Sequence, residues 1–294
     1  MAKTKEIMKE AFAEIVVRTG IARMARTLVW RDRVAILLYH DPRPDTLDRH
    51  LSCLRKVCDI VPLKDALRPG SGRPRAAITI DDGNIGNADL LPVFIRHNVR
   101  PTIYLCSGVV GRRRRHWWLH PEVQRVGVER LKRLTNTERL ALLEQAGFRQ
   151  DGDDEATGLT VEQLEAMRPY VDFQAHTRFH PILTRCSDSE CEEEIAVCKR
   201  ELEALLGQTC EHFAYPNGNY GEREVHFVKA AGYKTARTCD IGWANGKSDP
   251  FRLPTIHIDD GATTRWFAAQ LTGIPMLVRY LREGSGWGGR FRQF

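Results

Sequence analysis

The sequence predicts an α/β protein built on a mainly parallel sheet, open or closed into a barrel, and three observations point that way. Short apolar, strand-like runs alternate with helical patterns along most of the chain, which is the pattern of βα units. One of those runs, "AAITI", ends abruptly on two carboxylates, as strands do where an α/β fold gathers its chemistry. Finally, 294 residues that are 42% hydrophobic and 28% charged can bury a sizeable core, in one large domain or two smaller ones.

The N-terminal stretch 1–33 reads as an amphipathic basic helical segment. Met8, Phe12, Ile15 and Val16 share one helical face, and Ile21, Met24 and Leu28 repeat the pattern beside Arg18, Arg23 and Arg26. Such a face packs on the protein's own core or a partner subunit, or lies on an anionic membrane. A strand follows in "RVAILLYH", then a helix over 45–57, a strand in "AAITI", a helix in "NADLLPVFIRHNV" and a strand in "RPTIYLC". Segment 112–170 is longer, more charged and helical, with a polar loop "RQDGDDEATG", and reads as an insertion in the barrel rather than a second core. Beyond it come a strand in "YVDFQAHT", a helix over 190–207 stopped by glycine, a strand in "HFAYP", a helix in "REVHFVKAAG" and a strand in "YKTART". Residues 34–264 thus form the expected main domain, and 265–294 a basic tail.

The net charge of +6 belongs to the ends. Residues 1–33 hold eight Lys/Arg against four acids and 265–294 hold five against one, so the middle keeps 31 basic and 33 acidic residues. That distribution does not suit an evenly basic nucleic-acid binder, and no nucleic-acid partner is expected. "GRRRRH" (111–116), followed by Trp117 and Trp118, is a small basic cluster that suits a solvated loop or a contact to a substrate phosphate. The eight cysteines form no CxxC pair or disulfide framework, and several lie on apolar faces, which suits a reduced, cytosolic setting. No stretch has signal-peptide character or approaches the roughly 20 apolar residues needed to cross a bilayer.

Asp81 and Asp82 stand at the exit of an apolar strand because unpaired charge inside it would be too costly. Successive strand side chains diverge, so the two can serve different partners, and Gly83 allows a sharp turn. Taken alone, Asp-Asp-Gly is also an ordinary turn. In "VDFQAHTRFHPILT", His176 and His180 stand at a strand exit before Pro181, where two neutral imidazoles plus a carboxylate make a three-ligand metal set.

With "TIDDG", "HTRFHP" and "FAYPNGNYG" in this order, the chain resembles the polysaccharide deacetylases of the NodB-homology type, carbohydrate esterase family 4, from about Tyr39 to about Ile258. The resemblance implies a distorted (β/α) barrel with a helical insertion. It implies that Asp81 is the general base and that Asp82, His176 and His180 bind a divalent metal, usually zinc. The backbone N–H of Asn217, after Pro216, would hold the oxyanion, and His257 in "RLPTIHIDD" would protonate the leaving amine; an ordinary strand histidine is the other reading of His257. Tyr215, Pro216, Trp117 and Trp243 are the expected substrate contacts, with Trp118 a further ring that can stack on a sugar. One departure stands out: the family's third motif begins with an arginine that contacts the base, and here that position is Ala214, leaving Arg178 or Arg237 to substitute.

The implied activity is metal-dependent hydrolysis of the acetamide of an N-acetylated sugar. The expected substrate is nucleotide- or polyprenyl-linked, and the expected setting is surface polysaccharide (lipopolysaccharide-type) assembly in the cytoplasm or at the inner membrane face. Hydrolysis of a non-sugar amide or formamide uses the same residues. A catalytically impaired metal-binding protein, acting through a partner or membrane, is the non-enzyme alternative.

Overall fold

The computed structural model describes residues 2–25, 30, 33–68 and 72–283. Eight strands pair in parallel: β1 (Val34–Tyr39), β2 (Asp59–Ile60), β3 (Arg75–Ile80), β4 (Thr102–Leu105), β5 (Asp172–Ala175), β6 (His212–Ala214), β7 (Thr235–Ile241) and β8 (Leu253–His257). Because β1 pairs with both β3 and β8, seven of them close into a barrel. The two-residue β2, for which the sequence holds no pattern, lies along the start of β3.

Alternation along each strand divides the barrel into an inside and an outside. Val34, Ile36, Ala77, Tyr104, Ala214 and Leu253 form one buried cluster in the interior. Ala35, Leu37, Ile78, Ile80, Ile103, Phe173 and Phe213 instead pack beneath the surrounding helices in the main core. Following the inward parity to the strand ends brings Asp81, His176, Arg237 and His257 to one mouth.

The helix Asp188–Leu206 shows how the outer layer is specified. Ser187 and Glu190 make a reciprocal cap, Cys191, Ile195, Cys198, Leu202 and Leu206 form the buried stripe, and left-handed Gly207 ends it. None of the eight cysteines is in a disulfide among the described residues, and most are buried as small apolar groups.

Segment 112–170 sits between β4 and β5 and differs from the expected plain insertion in having a small core of its own: Trp117, Val123, Leu131, Leu143 and Phe148. Its last helix, Val161–Met167, packs on the main core through Leu164 and Met167. The expected basic tail is partly folded into the protein, since it contains most of the helix Thr264–Gln270 and all of Ile274–Glu283, and Phe267 is fully buried.

At the other end the helix Ala2–Arg18 buries Ala13 and Val16, with Phe12, against Trp266 and Ala269. The single apolar face expected there is split, because Met8 and Ile15 point to solvent. A second helix covers Ile21–Ala25; Arg26 and Leu28 lie outside the described residues.

Candidate active site

Asp81 leaves β3 with its backbone N–H donating to the Tyr39 carbonyl at 2.9 Å, an extension of the β1–β3 ladder. The chain then turns through Asp82 at φ +72° and Gly83 at φ +66°. A side chain at Gly83 would put its Cβ 2.5 Å from Leu105 Cδ2, so glycine is needed for both the turn and the close approach to β4.

His176 directly follows β5. Its Nδ1 donates to the Ala214 carbonyl at 2.8 Å, which leaves the Nε2 lone pair facing Asp82. His180 reaches the same point through a tight loop, with Thr177 at φ +67° and His180 itself at φ +54°. Glu194 braces that loop by accepting from the Arg178 and Phe179 backbone N–H groups at 2.8 and 2.9 Å. Three of the five described non-glycine residues with positive φ (Asp82, Thr177 and His180) lie in these loops and a fourth, Asn217, in the loop after β6, a concentration of backbone strain typical of functional sites.

Asp82 Oδ1 lies 3.6 Å from His176 Nε2 and 3.5 Å from His180 Nε2. It is buried and has no hydrogen-bond partner among the described residues. Tetrahedral ligands about 2.0–2.2 Å from a zinc-sized ion stand roughly 3.4 Å apart, so one carboxylate oxygen and two imidazole nitrogens at these spacings fit a divalent cation. Burial holds both histidines below their ordinary pKa, which keeps them in the neutral, ligating form.

Asp81 also comes within 3.7 Å of His176 Nε2 through Oδ2, but its other oxygen is bound to Arg237. The guanidinium Nη2 donates to Asp81 Oδ1, and both groups are almost wholly buried. Burial pushes the Asp81 carboxyl up, but Arg237, followed by His176, outweighs it and holds the pKa below the usual carboxylate range. This resolves the departure at Ala214. Ala214 on β6 and Arg237 on β7 are directly paired in the ladder, so the cation comes from the next strand and enters the same interior. Arg178 is committed elsewhere, to Glu193 and Glu201.

His257 ends β8 with a buried Nε2 that has no hydrogen-bond partner among the described residues. Burial, then His40 and Arg237, lowers its pKa to about 4. His40, which directly follows β1, lies near both Asp81 and His257; no motif in the sequence marks it, and only the barrel's closure brings it there. Asn217 is exposed in a left-handed conformation after Pro216, and among the described residues no hydrogen bond uses its backbone N–H.

The expected aromatic contacts are redistributed. Trp117 is buried in the insertion's own core, and its Nε1 donates to the His180 carbonyl at 3.1 Å. Trp243 is buried against Gly273. Tyr215 is turned outward, its hydroxyl donating to the Phe251 carbonyl, and Pro216 is buried beside it. None of these presents a free face to a sugar. The half-buried ring at the site is Trp118, its centroid 4.6 Å from that of His180.

The arginines of "GRRRRH" are likewise not free for a phosphate. Arg113 pairs with Asp153, Arg115 with Asp154 and Glu155, Arg112 lies 4.0 Å from Glu201, and Arg114 donates to the Gly108 carbonyl.

The closed parallel barrel carries at one mouth a carboxylate–two-histidine cluster that could hold a metal ion, beside an aspartate ion-paired to an arginine. Residues 69–236 match the polysaccharide deacetylase family, and the chain belongs to that family, which makes it a hydrolase of carbon–nitrogen bonds of the N-deacetylase class. The fold is shared with solved deacetylases of low identity. The Streptococcus pyogenes deacetylase PplD, solved in complex with acetate, is 18% identical, with a TM-score of 0.61 over 81% of this chain and 97% of that one. IcaB from Ammonifex degensii is 16% identical, with a TM-score of 0.59 over 82% and 96%. A polysaccharide deacetylase from Bacillus cereus is 17% identical, with a TM-score of 0.59 over 81% and 69%. No curated protein matches in sequence.

Proposed function

We propose that the protein removes the acetyl group from an acetamido-sugar, nucleotide- or lipid-linked, during cytosolic assembly of a surface polysaccharide, with Asp82, His176 and His180 holding a divalent metal, zinc by preference. The observation that carries this reading is the division of labour between adjacent aspartates: Asp82 shares its oxygen with two imidazoles while Asp81 is held ionised by Arg237. A cation held by the trio supplies Lewis acidity toward the amide oxygen and acidifies water.

Asp81 takes the proton from the attacking water. Ion pairing keeps it deprotonated at neutral pH, and the inward parity of β3 aims it at the same space as His176 Nε2, 3.7 Å away. The Asn217 N–H donates to the oxyanion as the carbonyl becomes tetrahedral. The proton that Asp81 took from the water passes to His257, neutral in the free protein, and from it to the departing amine as the C–N bond breaks. Trp118 offers the face on which a pyranose ring stacks.

Metal content and acetate release, measured on the same preparations of wild type and Asp81→Asn, test the assignment. The expected result is metal in both and acetate from nucleotide- or lipid-linked acetamido-sugars only with wild type. Loss of metal in Asp81→Asn would show that the aspartates are not divided in this way. Metal without acetate release from any acetamido-sugar would overturn the substrate class.

A further inference from the structure

The N-terminal helix is docked by one face and bare on another. Phe12, Ala13 and Val16 face Trp266 and Ala269. The acids Glu10 and Glu14 are also used inward, Glu10 accepting from Thr263 Oγ1 at 2.7 Å and Glu14 pairing with Arg265 at 3.2 Å. On the outer side Met8 is 68% exposed and Ile15 57%, and Met24 on the next helix is 57% exposed.

The position of this apolar face matters. Lys9 pairs with Asp259, and Asp259 and Thr263 come within six residues of His257, so the helix is fastened beside the barrel mouth. Two more exposed apolar residues, Ile85 and Leu119, belong to the loops that follow β3 and β4 at the same end.

We propose that this face docks on an anionic lipid bilayer and holds the mouth against it. Charge selects that occupant over a second copy of the chain. The basic excess of the protein is confined to the segments 1–33 (eight against four) and 265–294 (five against one); the first carries the bare face and the second supplies Trp266 and Ala269 beneath its helix. Two copies meeting there would bring like charge together, whereas anionic headgroups attract it. The inference rests on the proposed reaction only for its consequence, that the sugar substrate is carried on a lipid.

The test is co-sedimentation of the full chain with phosphatidylcholine vesicles, with and without phosphatidylglycerol. The expected result is binding to the anionic vesicles only, weakened by salt, and reduced about tenfold or more in Met8→Glu/Ile15→Glu. Leu205→Glu, which adds one such charge at an exposed leucine at the far end of the helix Asp188–Leu206, should bind as wild type does. Circular dichroism checks that each variant is folded. Absence of binding, or binding unaffected by Met8→Glu/Ile15→Glu, overturns the proposal. So does a concentration-dependent dimer, seen by light scattering and lost in that variant, with no vesicle binding. Acetate release from a water-soluble acetamido-sugar should be equal in wild type and these variants. Its absence in all of them would count against the deacetylase reading and leave the vesicle result standing.

Discussion

Replacing Arg237 with alanine should disable the protein without touching a metal ligand. Arg237 is fully buried and Asp81 is 4% exposed, so the small energies of surface ion pairs do not apply. Removing one partner of a buried pair leaves an uncompensated charge and costs about 3–5 kcal/mol of stability. The orphaned carboxylate then responds to the remaining influence, burial, and its pKa rises. Asp81 is protonated over more of the pH range, so the acid limb of the pH–rate profile moves upward and activity at neutral pH falls, within the about 10²–10⁴-fold that a general base contributes. The ladder suggests a rescue. Residues 214 and 237 are paired on adjacent strands and face the same interior, so Ala214→Arg/Arg237→Ala returns a guanidinium to Asp81 from the next strand, into space the first substitution vacates. The assay is kcat/KM across pH with bound metal measured in parallel. The double variant should recover most of the loss, and metal should stay bound in all three proteins. Wild-type activity and an unmoved acid limb in Arg237→Ala would refute the assignment, because Asp81 would then need no cation.

Two contrasts test other parts of the site and fold. Trp118→Ala should raise KM about three- to tenfold with little change in stability, as loss of a stacking surface does, whereas Trp117→Ala should cost about 3–5 kcal/mol because that ring fills the insertion's core; thermal melts and saturation kinetics on the same variants separate the two. His50 is buried between the Tyr39 hydroxyl and the Ala262 carbonyl, and burial lowers its pKa to about 4. Its neutral form is favoured by folding, so its contribution is complete above the unfolded pKa of 6.5 and is lost as pH falls toward 4. The loss amounts to about 3 kcal/mol, and denaturant titrations of wild type and His50→Gln across that range should show a flatter acid slope in the variant.

The strands and the Asp82–His176–His180 cluster were legible because each has a local signature. β1 and β3 are unbroken runs of apolar and β-branched residues, Asp81 and Asp82 sit where such a run must stop, and Pro181 marks His180 as a loop residue. Features that depend on distant partners were not. The arginines of 111–116 look free until the acids of 151–155 fold back onto them some 40 residues later. Trp117 and Trp118 are neighbours on one short turn, and no periodicity says which is buried and which lines the site. On the N-terminal helix, apolar positions that share one side of a helical projection divide between two surroundings, because the packed stripe is centred on Ala13 and Val16.

Arg237 shows why a motif can be incomplete while the site is whole. In "YKTART" it reads as a charged residue within a strand, and only the β6–β7 register reveals that it shares the barrel interior with Ala214. What Asp81 requires is a cation within reach, and in a closed barrel adjacent strands at the same level can both reach it. The constraint is therefore spatial rather than positional along the chain. The alanine at 214 could pass for decay if the motif were read alone, but with Arg237 opposite it the ion pair to Asp81 is intact. By the same reasoning the two positions are coupled. A large side chain introduced at 214 while Arg237 remains would crowd the interior cluster of Val34, Ile36, Ala77 and Tyr104, so the double exchange should be tolerated better than Ala214→Arg alone.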